Sequence, residues 1–407
     1  MSVEEPEFTG LESVEENPEI VLELYNLARR VSDHLKATLA TVTSNRDAIR
    51  GRLNVRKLGE RGSGVLSVLA VDSTWSIPPL ELVIGSVAVI ASGYVIAAPQ
   101  GLGSYGLSFI ALRFSSGEED RFTLSLELSA KIKEYVTALK YADEDIDIIM
   151  LDGPLYHYAI PEFYTPSRSS DVLADSRRYS GYKLASVTSR ALLDLLAKAG
   201  SLDVPVVGVV KRVSSKLLLP KLSGLEGVVD ILKRYNDKLV ASLTLEPEEY
   251  IVIENYLEEL RKYLEAYTSK SRYKRILRLI DYCLEAPEET LESKLCRYME
   301  GTAIVFYKHK GGTVAPQAVR LDVYPRSHVD RVVAYAMEST TENNVPAPID
   351  YVDRYVRVDS QTLRRLHQLL KTHEASRETE IALSLTNPQK KYLYEQGPRE
   401  PHVQPRR

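Results

Sequence analysis

Four carboxylates stand in or at the ends of short apolar runs: Asp72 in VLSVLAVDST, Glu127 in LSLELSAKI, Asp152 in IDIIMLDGPL and Asp353 in PIDYVDRYV. A carboxylate delivered to the end of a buried strand is costly to desolvate unless hydrogen bonds, a cation or water receive it. Several such ends meeting in one place make an oxygen-rich seat for a divalent cation, and that chemistry suits phosphodiesters. A fifth group, Lys211, closes the apolar run VPVVGVVKR ahead of Arg212, Ser214 and Ser215. An ammonium there can meet a phosphate, or it can be an ordinary strand-end lysine in solvent.

Each acid also has a plainer reading. Asp72, followed by Ser73 and Thr74, can be a turn former, and Asp152 can serve an Asp-Gly turn with Gly153. Glu127 falls on the flank of an apolar helix face, where solvated acids are common, and Asp353 follows Pro346 and Pro348 as a first-turn acid, beside Asp350 and Arg354. Tyr156, Tyr158, Phe163 and Tyr164 come just after Asp152 and can stack on unpaired bases, or simply pack, in a chain with 25 tyrosines.

The elements that must position these groups follow from periodicity. Ile20, Leu24, Leu27, Val31, Leu35 and Leu39 predict a helix from Pro18 to about Asn45, and the charged stretch RDAIRGRLNVRKLGERGSG reads as a connector. From Val65 to Ser115 the runs VLSVLAVDS, ELVIGSVAVIA, GYVIAAP and GLSFIALRF predict strands, with Ser92, Gly93 and Tyr94 as a break. A helix over Glu118–Lys140, the strand IDIIMLD, a polar loop over Tyr156–Ser180, a helix ending at Gly200 and the strand VPVVGVVKR come next. From Leu222 to Gly301 the spacing is helical and reads as an insertion; TAIVFYKH and QAVRLDVY then restore strands, followed by helices from about Ser327 and from about Pro348 to His373.

Antiparallel strands followed by alternating helix and strand make an α/β fold, a mixed sheet flanked by helices in the order of a ribonuclease H-like core. The expected organisation is a helical region and connector over 1–60, the first part of the core over 61–221, a helical insertion over 222–300, the second part of the core over 301–386 and a flexible tail over 387–407.

Composition narrows the classes. A chain of 407 residues, 44% hydrophobic, can bury a substantial core, and its net charge of −4 provides no global basic footprint for nucleic acid. The apolar stretch LELVIGSVAVIASGYVIAAP is interrupted by glycine, serine and Glu81, which argues against a membrane span, and the acidic start MSVEEPEF does not read as a leader. The expected location is cytoplasmic. Cys283 and Cys296 lack the spacing of a zinc site, and no phosphate-cradling Gly-x-x-x-x-Gly-Lys motif occurs.

Taken in order, LAVDST, the helix carrying LELSAKI, IIMLDGPL, VVGVVKR and PAPIDYVDRYVRVD resemble the NurA nuclease family over roughly Val65 to Leu370. The resemblance implies a ribonuclease H-like fold with a helical insertion, a ring-like homodimer and DNA cleavage dependent on Mn²⁺, with Mg²⁺ as the alternative ion. It also implies partnership with the hexameric HerA translocase in DNA end resection, with 5′ to 3′ exonuclease and single-strand endonuclease action. The family's acidic cluster carries over as Asp72, Glu127, Asp152 and Asp353, and its basic strand-end residue as Lys211. Ser73 and Pro154 stand where the family commonly has glycine and serine, and Asp353 where members often have His or Asp.

On this reading Asp72 and Asp152, helped by Glu127 and Asp353, hold two divalent ions about 3.5 to 4 Å apart, and Lys211 meets the phosphate. Two other classes compete. An actin-like kinase or ATPase shares a related sheet, but the turn after Asp72 lacks the glycines that bring backbone amides to phosphate. A non-catalytic DNA-binding subunit of a helicase complex would leave the acids without a role.

Overall fold

Ten strands join in one mixed sheet in the computed structural model, which describes residues 18–59, 66–77, 79–114, 119–156, 180–225, 227–267, 290–311 and 316–373, with isolated positions between 276 and 285 and at 381 and 384. The strands are β1 (Arg56–Lys57), β2 (Val68–Trp75), β3 (Leu80–Leu82), β4 (Gly85–Ala98), β5 (Gly101–Phe114), β6 (Ile148–Asp152), β7 (Val206–Val210), β8 (Glu249–Ile253), β9 (Ala303–Lys308) and β10 (Val319–Tyr324). Their order is β1-β8-β9-β10-β7-β6-β2-β4-β3, with β5 also paired to β4. The core β5-β4-β2-β6-β7 has β2, β6 and β7 parallel and the β2-β4-β5 meander antiparallel, the ribonuclease H-like arrangement expected from the sequence.

The helices are α1 (Pro18–Ser44), α2 (Arg46–Leu53), α3 (Glu119–Tyr141), α4 (Ser180–Ser201), α5 (Val228–Leu232), α6 (Asp237–Thr244), α7 (Tyr256–Tyr267), α8 (Leu291–Glu300), α9 (Val329–Ser339), α10 (Ala347–Tyr355) and α11 (Ser360–His373). Successive strand residues point to opposite faces, so each central strand carries two apolar stripes. Leu69, Val71, Ile149 and Leu151 pack against α3 and α4 through Tyr135, Ala138, Leu192 and Leu196. Val68, Ala70, Ile148, Met150, Val207 and Val209 pack on the other face against Val332, Val333 and Ala336 of α9, Ile349 and Val352 of α10, and Val356 just beyond it. Burial on both faces is why these runs are nearly uninterrupted in sequence.

Three local expectations are corrected. Gly93 does not break the second strand: β4 runs unbroken through it, paired to β2 from Ile90 to Ala97, because strand pairing on both sides fixes the backbone that glycine leaves free. The presumed connector contains α2, whose Ile49 and Leu53 are buried, and the short strand β1. The presumed all-helical insertion contains β8, EYIVI, which pairs with β9 and β1; five residues between helices are too few to stand out against a helical window. The four carboxyl-terminal prolines of the tail and Cys283 lie outside the described residues, whereas Cys296 is buried. Among the described residues no helix is long and apolar enough to cross a membrane.

Candidate metal centre

The period of two that buries Val68 and Ala70 also aims Asp72 at the α10 face of the sheet. The same alternation through Ile148 and Met150 brings Asp152 to that face, and through Val207 and Val209 it brings Lys211 there, just beyond β7. Because β2, β6 and β7 are parallel neighbours, Asp152 and Lys211 emerge at carboxyl-terminal strand ends, where ligands gather in such sheets. Asp72 does not end its strand at a turn as expected: β2 runs on through Ser73, Thr74 and Trp75 paired to β4, and Asp72 stands just past the last residue of β2 paired to β6, Val71. Asp353 comes from α10, which lies across this face.

One glycine lets α10 approach. Gly93 pairs with Asp72 across β2 and β4, and a Cβ there would sit 2.5 Å from Val356 Cγ2. The start of α10 is held by Asp350, which is buried and accepts from Asn343 Nδ2 at 2.9 Å and Arg354 Nη2 at 2.7 Å. Asp350 is thus bound within its own helix and loop, and Asp353 is the acid that reaches the strand ends.

Ligand oxygens of Asp72, Asp152 and Asp353 lie within 4.8 Å of one another. Lys211 Nζ is 3.2 Å from Asp152 Oδ1 and 3.2 Å from Asp353 Oδ1. Asp72 is only 4% exposed and accepts from the Ser73 amide at 2.6 Å. Burial, then the charges of Asp152 and Glu134, push its carboxyl well above the usual range, while Lys211 and Lys131 oppose this. Burial works against the Lys211 ammonium, but Asp152, Asp72 and Asp353 outweigh it and raise its pKa.

With Asp72 deprotonated, the three carboxylates outnumber the one ammonium by two negative charges, which a single divalent cation would balance. The donors are all hard oxygens, the set that Mg²⁺ and Mn²⁺ prefer. The residues present therefore fit such an ion.

Glu127 is not among these carboxylates. The acid of α3 that acts on Asp72 is Glu134, which sequence reasoning missed. Glu134 is buried, pairs with Lys131 at 2.8 Å and accepts from Ser73 Oγ at 3.0 Å. Burial pushes its carboxyl up to about 7 against the pull of Lys131. Lys131 in turn donates to the backbone carbonyl of Asp152. Glu127, Lys131 and Glu134 share one helix face at spacings of four and three, but seven residues put Glu127 roughly 10 Å further along the axis. The spacing of Glu127, Lys131 and Glu134 was the available signal: a glutamate paired with a lysine on the face turned to the sheet.

A buried polar network holds the turns beyond the strand ends. Asp322 accepts from the Leu155 amide at 3.3 Å and from Arg320 Nε at 2.8 Å. Arg320 Nη1 donates to Ser215 Oγ at 3.1 Å, and Ser215 donates to Asp237 Oδ2 at 2.7 Å. Asp237 also accepts from the amides of Leu217 and Leu218 at 2.7 and 3.0 Å. The segments leaving Asp152 and Lys211 are thereby fixed to one another. Tyr156 is buried with its hydroxyl 2.7 Å from Thr302 Oγ1, so it packs; Tyr158, Phe163 and Tyr164 lie outside the described residues.

No curated protein matches this chain. Among solved structures, it superposes on the NurA nuclease from Sulfolobus solfataricus with a TM-score of 0.56 at 13% identity, covering 88% of this chain and 97% of that one. A structure of NurA bound to dAMP and manganese gives a TM-score of 0.48 at 12% identity, covering 87% of this chain and 98% of that one. The first likeness establishes a shared fold. The NurA domain family itself matches residues 67–358, from the start of β2 to just beyond α10, and so takes in Asp72, Asp152, Lys211 and Asp353. By that match, this chain belongs to the NurA domain family.

Proposed function

We propose that the protein is a metal-dependent deoxyribonuclease. The observation that carries this reading is the convergence of Asp72, Asp152 and Asp353 on one sheet face, with Lys211 between two of them. A divalent ion at these oxygens supplies Lewis-acid stabilisation of phosphate charge and acidifies a water. Asp72 and Asp152 would hold the ion from rigid strands, and Asp353 would complete the seat from α10. Lys211 faces the phosphate and stabilises charge that develops on it. Glu134 and Lys131 act from beneath, fixing Ser73 and the Asp152 carbonyl, a supporting role distinct from the metal-ligand role the sequence offered to Glu127.

Mn²⁺ is the expected ion, with Mg²⁺ as the alternative. Family membership further supports 5′ to 3′ exonuclease and single-strand endonuclease action, a homodimer, and work in DNA end resection beside a HerA-type hexameric translocase. Labelled single- and double-stranded DNA incubated with Mn²⁺, Mg²⁺ or chelator tests the activity. The wild type is expected to cut only with metal, and Asp72→Ala and Asp152→Ala to lose cutting while keeping the fold. Cleavage undiminished in both variants would refute the assignment. ATP hydrolysis without DNA cleavage would instead favour the kinase-like reading, and HerA binding without metal binding the non-catalytic one; co-elution with HerA and light scattering check the partner and the dimer.

A further inference from the structure

The face that holds the carboxylates continues sideways into an exposed aromatic surface. Gly93 pairs with Asp72 on one side and with Leu107 on the other, and a Cβ at Gly93 would touch both Val356 and Leu107. Leu107 thus lies on the α10 face, and Tyr105 and Phe109, two residues to either side along β5, share it. Two strand spacings put Leu107 about 10 Å from Asp72, and Tyr105 is one dipeptide further, at about 12 Å. From the other side α10 contributes Tyr351 and Tyr355, one helical turn apart; Asp353 lies between them in sequence.

These side chains are open to solvent: Tyr105 is 57% exposed, Phe109 51%, Tyr351 54% and Tyr355 41%. The Tyr105 and Tyr355 rings meet edge to face with centroids 5.2 Å apart. Between the β4–β5 hairpin and α10 they wall a cleft of about 510 Å³, completed by Val95, Leu102 and Tyr351. Single exposed apolar residues are ordinary, but a contiguous aromatic patch marks a binding surface. The cleft lining contains no charged side chain, so it is suited to the faces of bases rather than to phosphates. Duplex DNA keeps those faces stacked inside; an unpaired strand offers them.

We propose that this cleft is a stacking platform for unpaired bases of the DNA strand whose phosphate lies at Lys211, with Tyr105 and Tyr355 as the principal rings. The proposal rests on the nuclease reading for its choice of occupant. It places the single-strand contact on β5 and α10 rather than on Tyr156, whose sequence position left both stacking and packing open.

The test measures binding in chelator, so that no strand is cut, by the anisotropy of labelled oligo(dT) and of an abasic oligonucleotide of equal length. Tyr105→Ala and Tyr355→Ala are each expected to weaken oligo(dT) binding roughly 5- to 150-fold, the range for loss of one base–aromatic stack. Tyr105→Phe is expected to bind as the wild type, and the abasic strand to bind all forms alike. Oligo(dT) binding unchanged in both alanine variants, or an equal loss on the abasic strand, would overturn the platform. So would a change from dimer to monomer by light scattering with binding per chain unaltered, which would make the patch a contact between copies. Wild-type cleavage with Mn²⁺ is scored separately: cleavage without ring-dependent binding defeats this inference alone, and ring-dependent binding without cleavage defeats the nuclease reading alone.

Discussion

Asp152 and Asp353 share one ammonium, each placing an oxygen 3.2 Å from Lys211 Nζ, although one ends a central strand and the other rides on a helix late in the chain. Lys211 therefore competes for the oxygens a divalent ion needs, while supplying the positive charge a phosphate needs. Replacing it with methionine separates these roles. Lys211→Met is expected to bind Mn²⁺ more tightly by calorimetry, because two carboxylates lose their bound cation. Its turnover is expected to fall about 10²- to 10³-fold, the scale of losing one charge-stabilising group. Weaker Mn²⁺ binding in this variant would show that the lysine assembles the seat rather than competing for it.

The two glutamates of α3 should behave differently. Glu134 ties Ser73 and Lys131 together beneath Asp72 and Asp152, whereas Glu127 lies outside the carboxylate cluster. Glu134→Gln is expected to lower cleavage by at least tenfold, and Glu127→Gln to stay within about twofold of the wild type at equal metal saturation. The reverse ranking in a cleavage assay would restore the sequence-based choice.

That contrast shows what the sequence made legible. Asp72, Asp152 and Lys211 were readable because each closes a two-sided apolar run, and alternation fixes the face on which it emerges, although β2 continues past Asp72 to Trp75. The helix of Glu127 was readable too, but helical periodicity gives only the angle around an axis. How far α3 slides along the sheet is set by packing, such as Tyr141 stacked on Tyr94 with centroids 3.7 Å apart and Thr137 against Ser92 at 3.2 Å. That slide brings Glu134, and not Glu127, level with Ser73. Asp353 was visible as an acid in its run, but only family resemblance joined it to the others, since nothing local shows that α10 will cross Gly93. Likewise β8 was hidden because a five-residue strand shows its character only once β9 and β1 pair with it.

Protonation sets a third expectation. Burial raises the Glu134 carboxyl from its ordinary value of 4.5 to about 7, so the folded chain binds this proton more readily than the unfolded one. The resulting stabilisation is complete below pH 4.5 and disappears as pH rises through 7, a loss on the order of 3 kcal/mol. In Glu134→Gln this contribution cannot titrate. Urea unfolding of metal-free protein from pH 4 to pH 8 should therefore show the variant gaining on the wild type as pH rises; a constant difference would mean that Glu134 titrates normally. Asp72, also raised, must lose its proton to bind a cation, so Mn²⁺ affinity should increase with pH.

The turn after Asp152 depends on a residue that never touches the ion. Gly208 sits in β7 opposite Leu151 and Asp322, and a Cβ added there would lie 2.7 Å from the Gly153 carbonyl oxygen and 3.0 Å from the Leu155 amide nitrogen. Both contacts are backbone, so relief requires the chain from Gly153 to Leu155 to move, and with it the Leu155 amide bond to Asp322. Overpacking of this kind costs about 1–3 kcal/mol. Gly208→Ala is therefore expected to lower the melting temperature and, because the displaced turn begins at Asp152, to weaken Mn²⁺ binding as well. Asp353→Asn should weaken Mn²⁺ binding with little effect on melting, since the Asp353 side chain is half exposed. A Gly208→Ala protein that melts early but binds Mn²⁺ as the wild type would show that Asp152 is held by its strand alone, and that the Asp322 contact serves only the fold.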